Sequence, residues 1–152
     1  MNREIKFRGK RLDNGEWVYG YLSEHWSLNT GEHYFFISTI EEDELGHKYT
    51  EIYKLIDPAT VGQFIGVTDE AGSQELFDGD IIKIVYFEEP FRCEIKHEGS
   101  GYILISESFP GGFIWASDYL HFEGDACWII GSEKIGNIHD NPELLMRRDR
   151  DD

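Results

Sequence analysis

A chain of 152 residues and 17.7 kDa is long enough for one ordinary domain or for two small ones that share a core. Hydrophobic residues make up 40% of it and aromatic residues 14%, which excludes a disordered chain despite the formal net charge of −16. The acidity also disfavours direct nucleic-acid binding, because that binding depends on Lys and Arg that neutralise phosphates. Since the sequence shows no membrane-spanning apolar run and no signal-peptide pattern, we expect a soluble, cytoplasmic protein without membrane contact.

Charge is distributed unevenly along the chain. The first eleven residues carry five Lys or Arg against one Glu, whereas residues 12–146 carry 6 Lys or Arg and 26 Asp or Glu. The acidic part has two interpretations. It is either a surface that binds a basic partner or the basic strand of a second copy, or a solvated surface that only maintains solubility.

The chain begins with the pattern of a β-hairpin. Apolar and basic residues alternate over residues 4–12, and residues 13–16 (DNGE) predict a tight turn, because Asn and Gly tolerate positive φ angles. Trp17, Tyr19 and Tyr21 then alternate along the second strand and share one of its faces.

After this hairpin, the sequence up to Asp57 predicts shorter elements. The acidic residues 41–44 predict an exposed loop, and residues 49–56 predict another strand. At Asp57 an N-cap residue is followed by proline, which favours a short helical turn. We place a domain boundary here, so that residues 1–57 form an N-terminal β-rich subdomain.

Residues 58–146 are denser in strand patterns and predict a second domain. Residues 81–87 form a nearly continuous apolar run, which is typical of a strand covered on both faces. Several short strands separated by glycine-bearing turns favour a small curled sheet or barrel, because a sheet that closes hides its own edges. Asn141 and Pro142 predict an N-cap and the first turn of a short C-terminal helix, before a charged tail at residues 147–152. The predicted fold class is therefore mainly β.

Five stretches in order along nearly the whole chain carry a family resemblance: REIKFRGK (3–10), GEWVYGYL (15–22), TVGQF (60–64), ELFDGDII (75–82) and IGNIHDNPELL (135–145). Together they resemble the YopX family, small proteins encoded mainly by bacteriophages and prophages. Ile65 departs from the threonine that the family pattern has after the aromatic residue. The resemblance implies a β-rich N-terminal part, an SH3-like barrel and the cytoplasm of a bacterial host cell. It implies no activity.

The residues that could bind a cation or take part in catalysis form only weak patterns. Asp78, Asp80 and His139 are candidates for a cation site, but alternate residues on a strand point to opposite faces, so the two carboxylates need not converge. The alternative is that Asp78 lies in a turn and Asp80 accepts hydrogen bonds from nearby backbone amides. Since no nucleophile motif and no phosphate-binding loop accompanies them, we expect no catalytic residue, no metal and no cofactor.

The N-terminal hairpin supplies candidate contact residues for a partner or an oligomer. They are the aromatic residues of its second strand and the basic residues of its first: Trp17, Tyr19, Tyr21, Arg3, Lys6 and Arg8. The aromatic face is either part of the core or stays partly exposed and packs on another subunit or partner, because aromatic residues and Arg are favoured in contact patches.

Three functions remain open from the sequence. The first is a noncatalytic phage or prophage accessory protein that assembles into a homo-oligomer and binds a host or phage protein. The second is an acidic protein that binds or blocks nucleic-acid-binding machinery by occupying a basic groove. The third is a metal-assisted hydrolase that uses Asp78, Asp80 or His139.

Overall fold

Short strands joined by tight turns make up most of the chain. The structure, a computed structural model, describes residues 4–50 and 54–146, and 56% of it is strand. The elements are β1 (Phe7–Lys10), β2 (Trp17–Trp26), β3 (His33–Ser38), β4 (Ile40–Glu42), β5 (Lys48–Thr50), β6 (Lys54–Ile56), β7 (Gly62–Thr68), β8 (Glu75–Phe77), β9 (Asp80–Tyr86), β10 (Glu89–Glu98), β11 (Gly101–Ile105), β12 (Phe113–Trp115), β13 (Leu120–Glu123), β14 (Ala126–Ile129), β15 (Ser132–Asn137) and the helix α1 (Glu143–Met146). The prediction of a mainly β fold with a short C-terminal helix is confirmed. None of the helices in the described segments has the length and apolarity that a membrane crossing requires.

Two compact units divide the chain between Phe64 and Ile65. We call the described residues 4–64 the N-terminal unit and residues 65–146 the C-terminal unit. The predicted domains, 1–57 and 58–146, stay a prediction, and the predicted tail at residues 147–152 lies outside the described residues.

The N-terminal unit is an antiparallel sheet in which β1 lies between β2 and the start of β7, and β3 lies between β2 and β6. The sheet curls, so that β6 also meets the end of β1. The Asp57 amide donates to the Lys10 carbonyl (2.9 Å), and the Leu12 amide donates to the Leu55 carbonyl (3.1 Å). β6 therefore has a hydrogen-bonded neighbour on each side.

The core face of this curled sheet is the one that carries Gly9 and Gly20. Ile37 and Ile56 are buried there, and a Cβ on Gly9 would overlap the Cγ2 atom of Ile56. Glycine is required at this position because the two strands approach closely, a packing reason rather than a turn.

Three predicted boundaries in the N-terminal unit shift. β1 ends at Lys10 instead of residue 12, because the turn begins earlier: the Arg11 amide donates to the Glu16 carbonyl, and the Arg11 carbonyl accepts from the Gly15 amide (both 2.9 Å). The acidic residues 41–44 are only partly a loop, since the first two lie in β4. The predicted strand over residues 49–56 contains parts of both β5 and β6, which pair with different strands, and residues 51–53 lie outside the described residues.

Polar side chains fix two of the turns in this unit. The Asp43 Oδ1 atom accepts from the Leu45 amide (2.9 Å) and from the His47 amide (2.8 Å), which closes the β4–β5 turn. The predicted helical turn at Asp57 is confirmed as a 3₁₀ turn, in which the Asp57 Oδ1 atom accepts from the Ala59 amide (3.1 Å).

The C-terminal unit contains a five-stranded antiparallel sheet in the order β12-β11-β10-β9-β15. Its core includes buried residues from the sheet and from the segments around it: Val67, Leu76, Ile82, Ile84, Cys93, Ile95, Leu104, Phe109, Ala116, Cys127 and Ile129. Within the described residues, β12 and β15 are the two edges and the sheet does not close into a barrel. The SH3-like description stays a prediction.

The apolar run over residues 81–87 is covered on both faces only in its first half. Ile81, Ile82 and Ile84 are fully buried, whereas Val85 is exposed and Phe87 lies beyond the end of β9 in the turn to β10. The strand is therefore shorter than the run of apolar residues predicts, because Tyr86 already pairs with Glu89.

Candidate functional site

An aromatic stripe, formed by Trp17, Tyr19 and Tyr21, occupies one face of β2. β1 lies beside it in antiparallel register, with Arg8 opposite Tyr19 and Lys10 opposite Trp17. Residues directly opposite each other in an antiparallel pair project from the same face. The aromatic and basic side chains therefore alternate on one surface, on the side away from Ile37 and Ile56.

Trp17 is covered by the cations of β1. The Arg8 guanidinium carbon lies 4.7 Å from the centre of the Trp17 ring, and the Lys10 Nζ atom lies 5.4 Å from it. Arg8 is only 2% exposed and Trp17 is half-buried. Cation–π contacts are stronger when the cation is removed from water, so these residues stabilise the hairpin.

The two tyrosines of the stripe face solvent. Tyr19 is 46% exposed and Tyr21 is 52% exposed, and Leu55 on β6 is exposed on the same face. Exposed tyrosine side chains supply large contact areas at a low cost in conformational entropy, so they are favoured in protein interfaces. Tyr19 and Tyr21 are therefore the accessible part of the stripe, and its role as a contact surface stays a prediction.

Of the remaining predicted contact residues, Lys6 lies within the described residues, next to Phe7 at the start of β1. The Lys6 Nζ atom is 3.5 Å from the Glu4 carboxylate and 5.2 Å from the centre of the Phe64 ring, with its side chain 20% exposed. Arg3 lies outside the described residues. The structure therefore brings Lys6, Arg8 and the stripe together on one face.

A second aromatic cluster lies at the far end of the β2–β3 hairpin and was not predicted from the sequence. The rings of Trp26 and His33 stack with their centres 4.5 Å apart, and the rings of His25 and Phe36 meet edge to face at 5.1 Å. An open cavity of about 360 Å³ lies beside them, lined by His25, Trp26, Ser27, Tyr34 and Phe36. The available signal was the presence of a His next to aromatic residues on each side of the hairpin turn, at His25-Trp26 and at His33-Tyr34.

Asp80 is a structural carboxylate. It is fully buried, its Oδ2 atom accepts from the Phe77 amide (2.7 Å), and the same oxygen lies 3.1 Å from the Lys134 Nζ atom. Asp78 lies in the turn between β8 and β9, where its Oδ1 atom accepts from the His97 amide (3.2 Å). The Asp80 carboxylate therefore accepts a hydrogen bond from a nearby backbone amide, whereas the Asp78 carboxylate accepts one from β10.

His139 lies in the turn after β15, where its amide donates to the Asn137 Oδ1 atom (2.9 Å). The Asp140 amide donates to the same oxygen (2.9 Å), and the Asn137 side chain in turn donates to the Asp140 carboxylate (3.1 Å). These hydrogen bonds give the Asn137 and Asp140 side chains a structural role in closing the turn. Within the ranges 4–50 and 54–146, no group of three or more His, Cys, Asp or Glu is placed to hold a metal ion.

Glu94 is a half-buried carboxyl group whose pKa is raised. It lies on β10 opposite Ile81 and Ile105, and burial raises its pKa; the Lys96 ammonium opposes this effect and the Asp78 carboxylate adds to it. The folded state thus keeps this proton at a higher pH than the unfolded state. The contribution of Glu94 to the free energy of unfolding therefore falls as pH rises through the ordinary pKa of Glu. This loss is complete above the raised pKa of the folded state.

We expect Glu94→Gln to raise the free energy of unfolding near pH 7, by less than about 1 kcal/mol because solvent screens a half-buried group. Near pH 3, where the carboxyl is protonated in both states, the substitution should change little. Urea denaturation at the two pH values checks this. An equal change at both would show that ionisation is not the cause.

The chain matches a protein-family model described as YopX protein over residues 6–146. The match runs from β1 to the end of α1 and so includes the stripe as well as Asp80 and the turn at His139. No curated protein matches the chain.

Proposed function

We propose a noncatalytic role for this chain, which belongs to the YopX family: it is an accessory protein of a phage or prophage that assembles with copies of itself. The observation that carries the proposal is the exposure of Tyr19 and Tyr21 beside the cations of β1. Aromatic side chains next to Lys and Arg have the composition of a protein contact patch.

The charge distribution favours a second copy of the chain as the molecule that binds the stripe. The stripe lies beside Lys6 and Lys10, whereas residues 12–146 carry 26 acidic and only 6 basic residues. A surface of another copy is therefore acidic on average and attracts the basic edge of the stripe. The assembly acts in the cytoplasm of the bacterial host cell, where its remaining acidic surface binds a basic host or phage protein.

The two other functions expected from the sequence stay predictions. A metal-assisted hydrolase would need Asp78, Asp80 and His139 in one cleft, whereas Asp80 is enclosed against Lys134. Blocking of nucleic-acid-binding machinery would use the acidic surface alone, without the aromatic stripe.

Tyr21→Ser tests the proposal. Removal of an exposed aromatic anchor should weaken self-association by about tenfold or more, because such residues dominate interface energies. Sedimentation equilibrium over a range of protein concentrations measures the dissociation constant, and raised ionic strength should weaken association further. The urea midpoint should stay unchanged, since the side chain is exposed.

Tyr49→Ser is the matched control, because Tyr49 is an exposed strand tyrosine of the same unit but lies on β5, in the separate two-stranded sheet of β4 and β5. Its association should equal that of the native chain. A native chain that stays monomeric at all concentrations, or a Tyr21→Ser chain that associates normally, would contradict the proposal.

A further inference from the structure

The turn between β9 and β10 has an unusual backbone for its sequence. Tyr86 pairs with Glu89, which leaves a two-residue turn whose central residues, Phe87 and Glu88, have φ angles of 50° and 68°. Positive φ at both positions is the geometry of tight hairpins, which strongly prefer Asn and Gly there. A bulky aromatic residue is disfavoured in this region because its Cβ crowds the backbone.

The same turn exposes its most apolar residue. Phe87 is 83% exposed, and its ring meets the Tyr86 ring edge to face, at 4.6 Å between centres. The carboxylates of Glu88 and Glu89 follow directly and are exposed as well. We call residues 86–89 the acidic tip.

Folding of the C-terminal unit accounts for the turn but not for the residues that occupy it. An Asn-Gly pair would form the same turn with less strain, and the exposed ring gains little from burial within its own unit. Residues held in a strained backbone conformation cluster at sites that contact another molecule.

We propose that the acidic tip of one copy is the segment that binds the aromatic stripe of a second copy. This inference rests on the proposed function and names the occupant of the same site. Phe87 supplies an aromatic ring for Tyr19 and Tyr21, since aromatic rings pack well in offset or edge-to-face arrangements. Glu88 and Glu89 supply negative charge for the basic edge of the stripe at Lys6 and Lys10.

The proposed contact joins two different surfaces, so every copy offers both a tip and a stripe. Such a contact is either reciprocated across a two-fold axis, which closes a dimer with two tip–stripe contacts, or it continues from copy to copy until a ring closes. The native chain should therefore form dimers or larger assemblies, and no intact tip should stay unbound in a closed assembly.

Complementary variants test the contact. Phe87→Asn removes the ring from the tip but keeps the stripe, and Tyr21→Ser damages the stripe but keeps the tip. Each variant alone should associate about tenfold or more weakly than the native chain. An equimolar mixture should form one-to-one dimers that do not grow, because only one intact tip meets one intact stripe.

Folding controls are available within the chain. Because Asn tolerates positive φ, Phe87→Asn should unfold at a urea concentration no lower than the native chain. Ser100→Asn, in the β10–β11 turn of the same unit, changes a different hairpin tip and should leave association unchanged.

The outcomes separate this inference from the proposed function. If Phe87→Asn associates like the native chain while Tyr21→Ser does not, the stripe is still a contact surface, but the acidic tip is not the segment that binds it. If both variants lose association but their mixture stays monomeric, the tip and the stripe do not bind each other. If neither loses it, both proposals are overturned.

Discussion

Gly20→Ala is expected to lower the free energy of unfolding by about 3 kcal/mol or more, at the upper end of what overpacking costs. A Cβ at this position would overlap the carbonyl oxygen of Ser38 and lie 3.0 Å from its carbonyl carbon. These are backbone atoms of β3, so they cannot rotate away as a side chain does. Relief requires β2 and β3 to separate beside Tyr19 and Tyr21 of the aromatic stripe. Equilibrium urea denaturation measures the loss.

Gly101→Ala is the matched control for this substitution. A Cβ there would have the Trp115 ring as its nearest neighbour at 3.5 Å, which is an ordinary van der Waals contact. Its effect should stay within about 1 kcal/mol, as for most substitutions that create no overlap. Equal urea midpoints for the two variants would contradict the close approach of β2 to β3.

Lys134→Met is expected to lower the free energy of unfolding by about 3 kcal/mol, because it leaves the carboxylate of Asp80 buried without its cation. The Lys134 ammonium lies 3.1 Å from that carboxylate, and it also donates to the Glu75 carbonyl (3.3 Å). Asp80 has no exposed surface, so water cannot replace the ammonium. Thermal or urea denaturation at neutral pH measures the loss.

The double variant Asp80→Asn with Lys134→Met separates charge from packing. An amide at residue 80 still accepts from the Phe77 amide and leaves no buried charge, so most of the lost stability should return. Asp13→Asn breaks an ion pair with Arg11 that is exposed to solvent, and it should leave the unfolding midpoint almost unchanged. A double variant no more stable than Lys134→Met alone would show that the lysine acts mainly by packing.

The aromatic stripe illustrates how far sequence reasoning reaches. Alternation predicts that Trp17, Tyr19 and Tyr21 share a face of β2, because the side-chain period of a strand is two. It does not decide which face is buried, since the other face carries apolar residues as well. That choice depends on Ile37 and Ile56, which are distant in sequence and reach the opposite face through pairing of β3 and β6.

The acidic tip shows where a local pattern misleads. The apolar run through Phe87 predicts a strand, because Phe has high strand propensity and no Gly or Asn marks a turn. Pairing of β9 with β10 in a hairpin overrides this preference and places the turn on Phe87 and Glu88. Asp80 was easier to interpret, because a carboxylate just before a strand commonly bonds to local amides.

The β4–β5 hairpin has a consequence for the evolution of this chain. Among the residues that the structure describes, it pairs with neither of its neighbouring strands along the chain, and the strands that flank it are already held side by side by the pairing of Ile37 with Lys54. The segment between them therefore closes a loop whose ends are fixed by other contacts, and closing a longer loop there adds only a slowly growing entropic penalty. This appendage is a natural place for relatives to gain or lose residues, and a place where a foreign peptide can be grafted.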